Sequence, residues 1–216
     1  MNQNERVIIA VILSFVIALS VVYVTEEVYQ SMVFSWAIDE GDAFIFDVVV
    51  TGNRFSGNTT IPPPFAEMNN TRISVEIVSL PNVSIIFYSG PFLETVVEPT
   101  KTSSEFINGT DIPAPYRYAI NTHISRCVLP VGGWRHLDSF FPNRIDRPFN
   151  EYQSYLSVHR GNSFYFGFSS NETTESHVWY GIIDLDTGVP QTVSFWIYQM
   201  GQLWTDSYNV TMSRVT

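Results

Sequence analysis

Apolar and polar residues alternate along most of the chain beyond residue 43, and this period of two is what most limits the fold. Phe44, Phe46, Val48 and Val50 interleave with Ile45, Asp47, Val49 and Thr51, and Ile73, Val75 and Ile77 interleave with Arg72, Ser74, Glu76 and Val78. Successive side chains of a strand point to opposite faces, so the pattern makes strands with one buried face. Further strands are expected at Val83 to Tyr88, Phe92 to Val97, Ser154 to His159, Phe164 to Phe168, Val178 to Leu185, Thr192 to Met200 and Tyr208 to Val215. Gly52-Asn53, Ile61-Pro-Pro-Pro64, Leu80-Pro81, Gly90-Pro91, Ile112-Pro-Ala-Pro115 and Gly132-Gly133 punctuate them. Many short strands divided by Gly and Pro turns predict a mainly β, antiparallel, sandwich-like domain. The one helix predicted in this region spans Arg147 to Leu156, where Pro148 suits a first turn and Phe149, Tyr152, Tyr155 and Leu156 fall near one stripe. Between residues 98 and 143 the chain is richer in proline and less periodic, as in a long crossover or a join between two β units.

A different kind of sequence precedes this region. Val7 to Val24 is a run of 18 residues without a charge, 13 of them Val, Ile, Leu or Phe. As a helix it extends roughly 27 Å, close to the hydrocarbon thickness of a bilayer. Residues 1–31 are therefore expected to form a cytoplasmic tip and a transmembrane signal-anchor, with residues 32–216 as the extracytoplasmic domain. Arg6 and the amino terminus precede the run while Glu26 and Glu27 follow it, and the positive flank stays in the cytoplasm. Ala18-Leu19-Ser20 offers the competing reading of cleavage after Ser20 and secretion, but apolarity continues through Val21, Val22, Tyr23 and Val24 without a polar break. A pilin-like stem would need a Gly before the run, and Met1 to Arg6 holds none.

Cys127 is the only cysteine, which excludes an intramolecular disulfide and reads as a small buried apolar residue. With 21 acidic and 11 basic residues the net charge is −10, nearly all of it beyond the run because Glu5 and Arg6 cancel. Such a surface repels phosphate backbones, so nucleic acid is not expected as a partner. Asn-x-Ser/Thr occurs at Asn58, Asn69, Asn82, Asn108, Asn171 and Asn209. Twelve asparagines beyond the run and 39 Ser or Thr in 216 residues give about two such triplets by chance, so six point to glycosylation of surface asparagines.

Chemistry-bearing residues are scattered. Asp184-Leu-Asp186-Thr-Gly188 begins like a calcium loop but has Gly188 at the third ligand position and Phe195 at the twelfth, so a tight turn with Gly188 at positive φ is the better reading. His123 with Cys127 and His136 with Asp138 would each need two more ligands to hold zinc, and His159 and His177 stand apart from them. Ser163 lacks the Gly-x-Ser-x-Gly frame of an esterase nucleophile, and Asp138 with Glu151 is no more than a pair of acids in an acidic β protein. No catalytic, cofactor or metal residue is assigned. Aromatic residues crowd the C-terminal half, and in Trp179-Tyr180 and Phe195-Trp196 one ring must face inward and its neighbour outward. The outward set either forms a platform for a glycan or protein partner or is covered by a second layer.

Trp36-Ala-Ile-Asp-Glu-Gly-Asp-Ala-Phe-Ile-Phe46, Asn70-Thr-Arg-Ile-Ser-Val-Glu-Ile77, Leu129-Pro-Val-Gly-Gly-Trp134 and Ile183-Asp-Leu-Asp-Thr-Gly-Val189 resemble phrases of archaeal exported proteins of Asgard-type lineages. That resemblance implies an N-terminal apolar segment with a β-rich ectodomain and brings no catalytic residues. The expected function is a membrane-anchored, glycosylated cell-surface β domain acting as an interaction or envelope-structural module. The rivals are an exported hydrolase of glycans or peptides, a pocket protein for lipid or small solute, and a pilin-like filament subunit.

Overall fold

Ten strands join into one antiparallel sheet in the computed structural model, which describes residues 12–21, 34–83, 98–132, 144–148 and 153–215, with 144–148, 153–157 and 159 as backbone only. They are β1 (Ala43–Ser56), β2 (Thr59–Ile61), β3 (Thr71–Ser79), β4 (Lys101–Phe106), β5 (Arg144–Pro148), β6 (Gln153–Arg160), β7 (Ser163–Asn171), β8 (Glu175–Asp184), β9 (Pro190–Met200) and β10 (Thr205–Arg214). The order across the sheet is β4-β3-β1-β10-β9-β8-β7-β6-β5, with β2 pairing onto the end of β1. Strands from both sides of the proline-rich stretch thus share one sheet, because β10 lies beside β1. Among the described residues two α-helices, α1 (12–21) and α2 (Ala114–Ser125), and a 3-10 turn at Ala66–Met68 accompany it.

The alternation read from the sequence sorts the two faces. Phe46, Val48, Ile73, Val75, Phe166, Trp179, Val193, Phe195, Val210 and Met212 are all buried, and pairing brings Val210 opposite both Val50 and Phe195, and Phe195 opposite Trp179. Ile45 and Val49 on the other face of β1 stay exposed. Helix α2 covers the inner face with Ile120, His123 and Ile124, buried at the i, i+3, i+4 spacing of a helical stripe. Phe65 locks helix to sheet: its ring centroid lies 4.3 Å from Tyr116 of α2, 5.5 Å from Phe195 and 5.9 Å from Tyr208. Phe65 holds a left-handed φ of 65° to do so. That conformation costs about 1–2 kcal/mol, which burial of a phenyl ring, about 1.5–3 kcal/mol, offsets.

Several expectations are corrected. Antiparallel β structure is as predicted, but the described strands make one sheet, and α2 with flanking loops covers its inner face where a sandwich would place a second sheet. Alternation specifies that a face is buried, not what buries it. The helix expected over Arg147 to Leu156 is the end of β5 and the start of β6, where Tyr155 pairs with Phe168 in a ladder; 149–152 lie outside the described residues. Tyr155 and its cross-strand partner Phe168 are aromatic, a residue class that favours strands. Ile112-Pro-Ala-Pro115 is not punctuation between strands; it leads into α2, with Pro115 in the first turn, where its missing N–H costs nothing. Gly52-Asn53 does not end β1 but sits inside it, Gly52 taking φ 110° where a Cβ would overlap the carbonyl of Ser207.

Of the run Val7 to Val24, residues 12–21 form α1 and are exposed, while 7–11 and 22–24 lie outside the described residues. Among the described residues no helix is long and apolar enough to cross a membrane. The expected strands at Val83 to Tyr88 and Phe92 to Val97 fall, apart from Val83, outside the described residues, as do His136, Asp138 and Glu151.

Candidate functional site

The face opposite α2 carries its own order. Pairing sets Trp196 between Asn209 and Val178, Tyr180 between Ser194 and Gly167, and Tyr165 opposite Ile182, all pointing away from the core. With Tyr198 two residues along β9 from Trp196, these positions step diagonally across β9, β8 and β7. Three two-residue steps along the strands and two strand spacings make a band roughly 22 Å long. Trp196 and Tyr198 stack with centroids 6.2 Å apart and 18° between planes. Tyr180 is 38% exposed, and Trp196, Tyr198 and Tyr165 are half-buried. The Arg160 guanidinium caps the far end, 5.7 Å from the Tyr165 centroid. Gly167 makes room beside Tyr180, since a Cβ there would clash with the Tyr180 side chain and the Trp179 carbonyl.

Beside the band the strands are pinned by hydroxyls and an amide. Ser194 Oγ donates to Asn209 Oδ1 at 2.9 Å and lies 3.1 Å from Thr211 Oγ1, while Asn209 Nδ2 donates to Thr211 Oγ1 at 2.9 Å. Ser194 is buried and the three groups satisfy one another, so they fix the register of β9 and β10 beside the rings without adding charge. Flat aromatic faces left on a solvent side can stack on the apolar face of another ring.

Asn58, Asn69, Asn82, Asn108 and Asn171 are exposed. Asn58 lies in the β1–β2 turn and Asn171 ends β7. Asn69 Oδ1 accepts the Val50 N–H at 2.9 Å, and Asn108 Oδ1 accepts the Thr110 N–H and hydroxyl at 3.0 and 2.7 Å. Asn209 differs: it is half-buried within the outer face, both ends of its amide engaged as described.

Asp184 to Gly188 is a turn joining β8 to β9, with Gly188 at φ 69° as expected. Its carboxylates are spoken for: Asp184 accepts the Asp186 N–H at 3.0 Å, the Thr187 hydroxyl at 3.2 Å and Arg214 at 3.2 Å, and Asp186 accepts Asn162 Nδ2 at 2.7 Å. Among the described residues no group of three His, Cys, Asp or Glu could hold a metal ion. Cys127 is fully buried against Gly181, where a methyl would overlap its sulfur, and burial pushes its thiol pKa up. His123 lies in the core, stacked on Phe195 at 4.4 Å and edge-on to His177 at 5.1 Å. Loss of water, then the charges of His177 and Arg126, pull its pKa down to about 3, so its ring is neutral; burial lowers His177 as well. His123 Nδ1 and His177 Nε2 are buried without a hydrogen-bond partner.

The parity of Trp179-Tyr180 and Phe195-Trp196 was enough to predict outward rings, and Ser163 opens β7, paired with Arg160 and Asp184. What the sequence did not reveal is the diagonal, which needs the register between strands. Compared with known proteins, the chain matches no family model, no curated protein and no solved structure.

Proposed function

We propose that this is a membrane-anchored, glycosylated cell-surface domain that acts as an interaction module and holds a glycan chain along the Tyr198-Trp196-Tyr180-Tyr165 band. One observation carries the reading: four aromatic side chains run in register over the face that the core does not use. Large rings on a solvent face expose apolar surface that folding does not need, which is the usual mark of a contact surface. A neutral polymer is favoured over a polyanion by the net charge of −10. The apolar run Val7 to Val24 and the six sequons support the exposed, anchored setting.

The test is a glycan-array screen with the full chain in an uncharged detergent, followed by Trp196→Ala and Tyr180→Ala. A bound neutral glycan should lose roughly tenfold in affinity on loss of either ring, from contact area and stacking together. Failure of every neutral glycan to bind, or equal binding by Trp196→Ala, sinks the reading. Protease access on sealed vesicles tests the topology separately, and a domain protected from outside protease refutes the anchored arrangement.

A further inference from the structure

We propose that the cleft between α2 and β4 binds a small anionic solute, a carboxylate or phosphate ester, held by Arg126 and Lys101. It lies on the helix-covered side of the sheet and goes beyond the glycan reading, so either can fail without the other. The cleft has a volume of about 540 Å³, within the range of small-molecule sites, and its lining includes Lys101, Thr102, Tyr118, Asn121, Thr122 and Arg126.

The argument rests on Arg126. Among the described arginine side chains, Arg54, Arg72, Arg117 and Arg214 each pair with a carboxylate, at 2.6, 2.7, 2.7 and 3.2 Å. Arg160 has none but is exposed to water. Arg126 is half-buried and, among the described residues, its guanidinium makes no hydrogen bond or ion pair, resting only against the Trp179 ring 5.4 Å away. In a chain with 21 acidic and 11 basic residues an unpaired, partly dehydrated arginine runs against the odds. A guanidinium stripped of some water and given no acceptor is costly, and an anion bound through its planar fork removes the cost. The negative end of α2 explains why a cation is tolerated at its C-cap, but it supplies no acceptor to the fork of N–H donors of this cleft-lining residue.

The other groups on the cleft fit the same ligand. Lys101 supplies a second cation, its ammonium steadied by the backbone carbonyl of Glu98. Thr102 donates its hydroxyl to the Asn121 carbonyl, joining strand to helix across the base of the cleft. The Asn121 side-chain Oδ1 is buried and unpartnered; rotating that amide presents Nδ2, a donor, in its place. Glu98 is the one acid on the rim and is exposed.

The experiment is calorimetric titration of the full chain in an uncharged detergent with inorganic phosphate, with succinate, and with glucose as a neutral control. At least one of the two anions should bind with a stoichiometry near one and glucose should not compete; which anion binds tells phosphate from carboxylate chemistry. Arg126→Gln should weaken binding roughly tenfold or more, the worth of charge-assisted hydrogen bonds, with Arg126→Lys recovering part of it. Lys101→Gln alters an exposed side chain, so it folds whatever becomes of Arg126, and it should weaken binding as well. Absence of binding by both anions at concentrations up to about 20 mM, weaker than any useful site, overturns the proposal. So does binding that neither Arg126→Gln nor Lys101→Gln reduces. Binding of the anions that persists in Trp196→Ala separates this site from the glycan band.

Discussion

Lowering the pH from 7 to 5 should destabilise the domain through His123, and the size of the effect follows from where the ring sits. In the unfolded chain His123 titrates near 6.5, whereas in the fold burial, then the charges of His177 and Arg126, hold its pKa down to about 3. A folded pKa below the unfolded one means the unfolded state binds the proton more readily. The contribution to stability is therefore complete above about pH 6.5 and is lost as pH falls from there toward about 3. At pH 5 the unfolded histidine is favoured by protonation about thirtyfold, or roughly 2 kcal/mol, and near pH 3 the loss approaches roughly 4–5 kcal/mol. His177 adds to the loss with the same sign, since burial lowers it too. The assay is urea unfolding of the full chain in detergent, followed by tryptophan fluorescence at pH 7 and pH 5, for the native sequence and for His123→Phe. Phenylalanine keeps the stack on Phe195 and forfeits no hydrogen bond at Nδ1, which has none. The native protein should lose about 2 kcal/mol more than the variant over this interval, the carboxylates common to both cancelling. Equal pH dependence in the two proteins would refute the reasoning.

Asp206→Ala should cost about 2–3 kcal/mol in the same assay at pH 7, because Asp206 is buried at the end of β10 and accepts both Arg54 Nε and Nη2 at 2.6 Å. The loss stays below that of a fully buried pair because Arg54 keeps 36% of its side chain in solvent, and a change under about 0.5 kcal/mol would show the pair to be ornamental. Cys127, buried and with its thiol pKa pushed up, should resist a disulfide-exchange reagent in the native protein and react fully in urea; a native rate like that of a free thiol would contradict its place against Gly181.

Strands were legible wherever a buried face alternates with a wet one. β1, β3, β7, β8, β9 and β10 all fall where Phe46, Val75, Phe166, Trp179, Phe195 and Val210 mark the inner face. β4 escaped notice because its inward residues are Thr102 and Ser104, polar side chains buried under α2. Helix α2 was missed for a related reason. Its apolar stripe is short, Ile120 and Ile124 with His123 between, and the prolines that open it read equally well as a turn. Gly52 misled in the other direction, since positive φ is needed within a strand as well as at its end. As for the sites, outward aromatics could be counted from parity, but their alignment depends on pairings such as Tyr180 with Ser194, and the unpaired Arg126 depends on which acids lie near it in space. Neither quantity is written in local sequence.

The two faces of the sheet are bound to each other by that same parity. Trp179 and Phe195 pack inward, so Tyr180 and Trp196 must face out; a slip of one residue in β8 or β9 would send the outward rings into the core and the buried ones into water. The register therefore has to be held firmly at the band, and the structure holds it with groups that serve both faces. Trp179 and Phe195 are cross-strand partners within the core, while Ser194, Asn209 and Thr211 tie β9 to β10 on the outside. A sugar attached to Asn209 would have to free the amide from Ser194 and Thr211, loosening β9 beside Trp196. Of the six sequon asparagines, Asn209 is the one whose amide is tied on both sides into the outer face, while Asn171, exposed at the end of β7, lies in the row of Ser176 and Tyr198, so sugars at these two sites would bear most directly on the band.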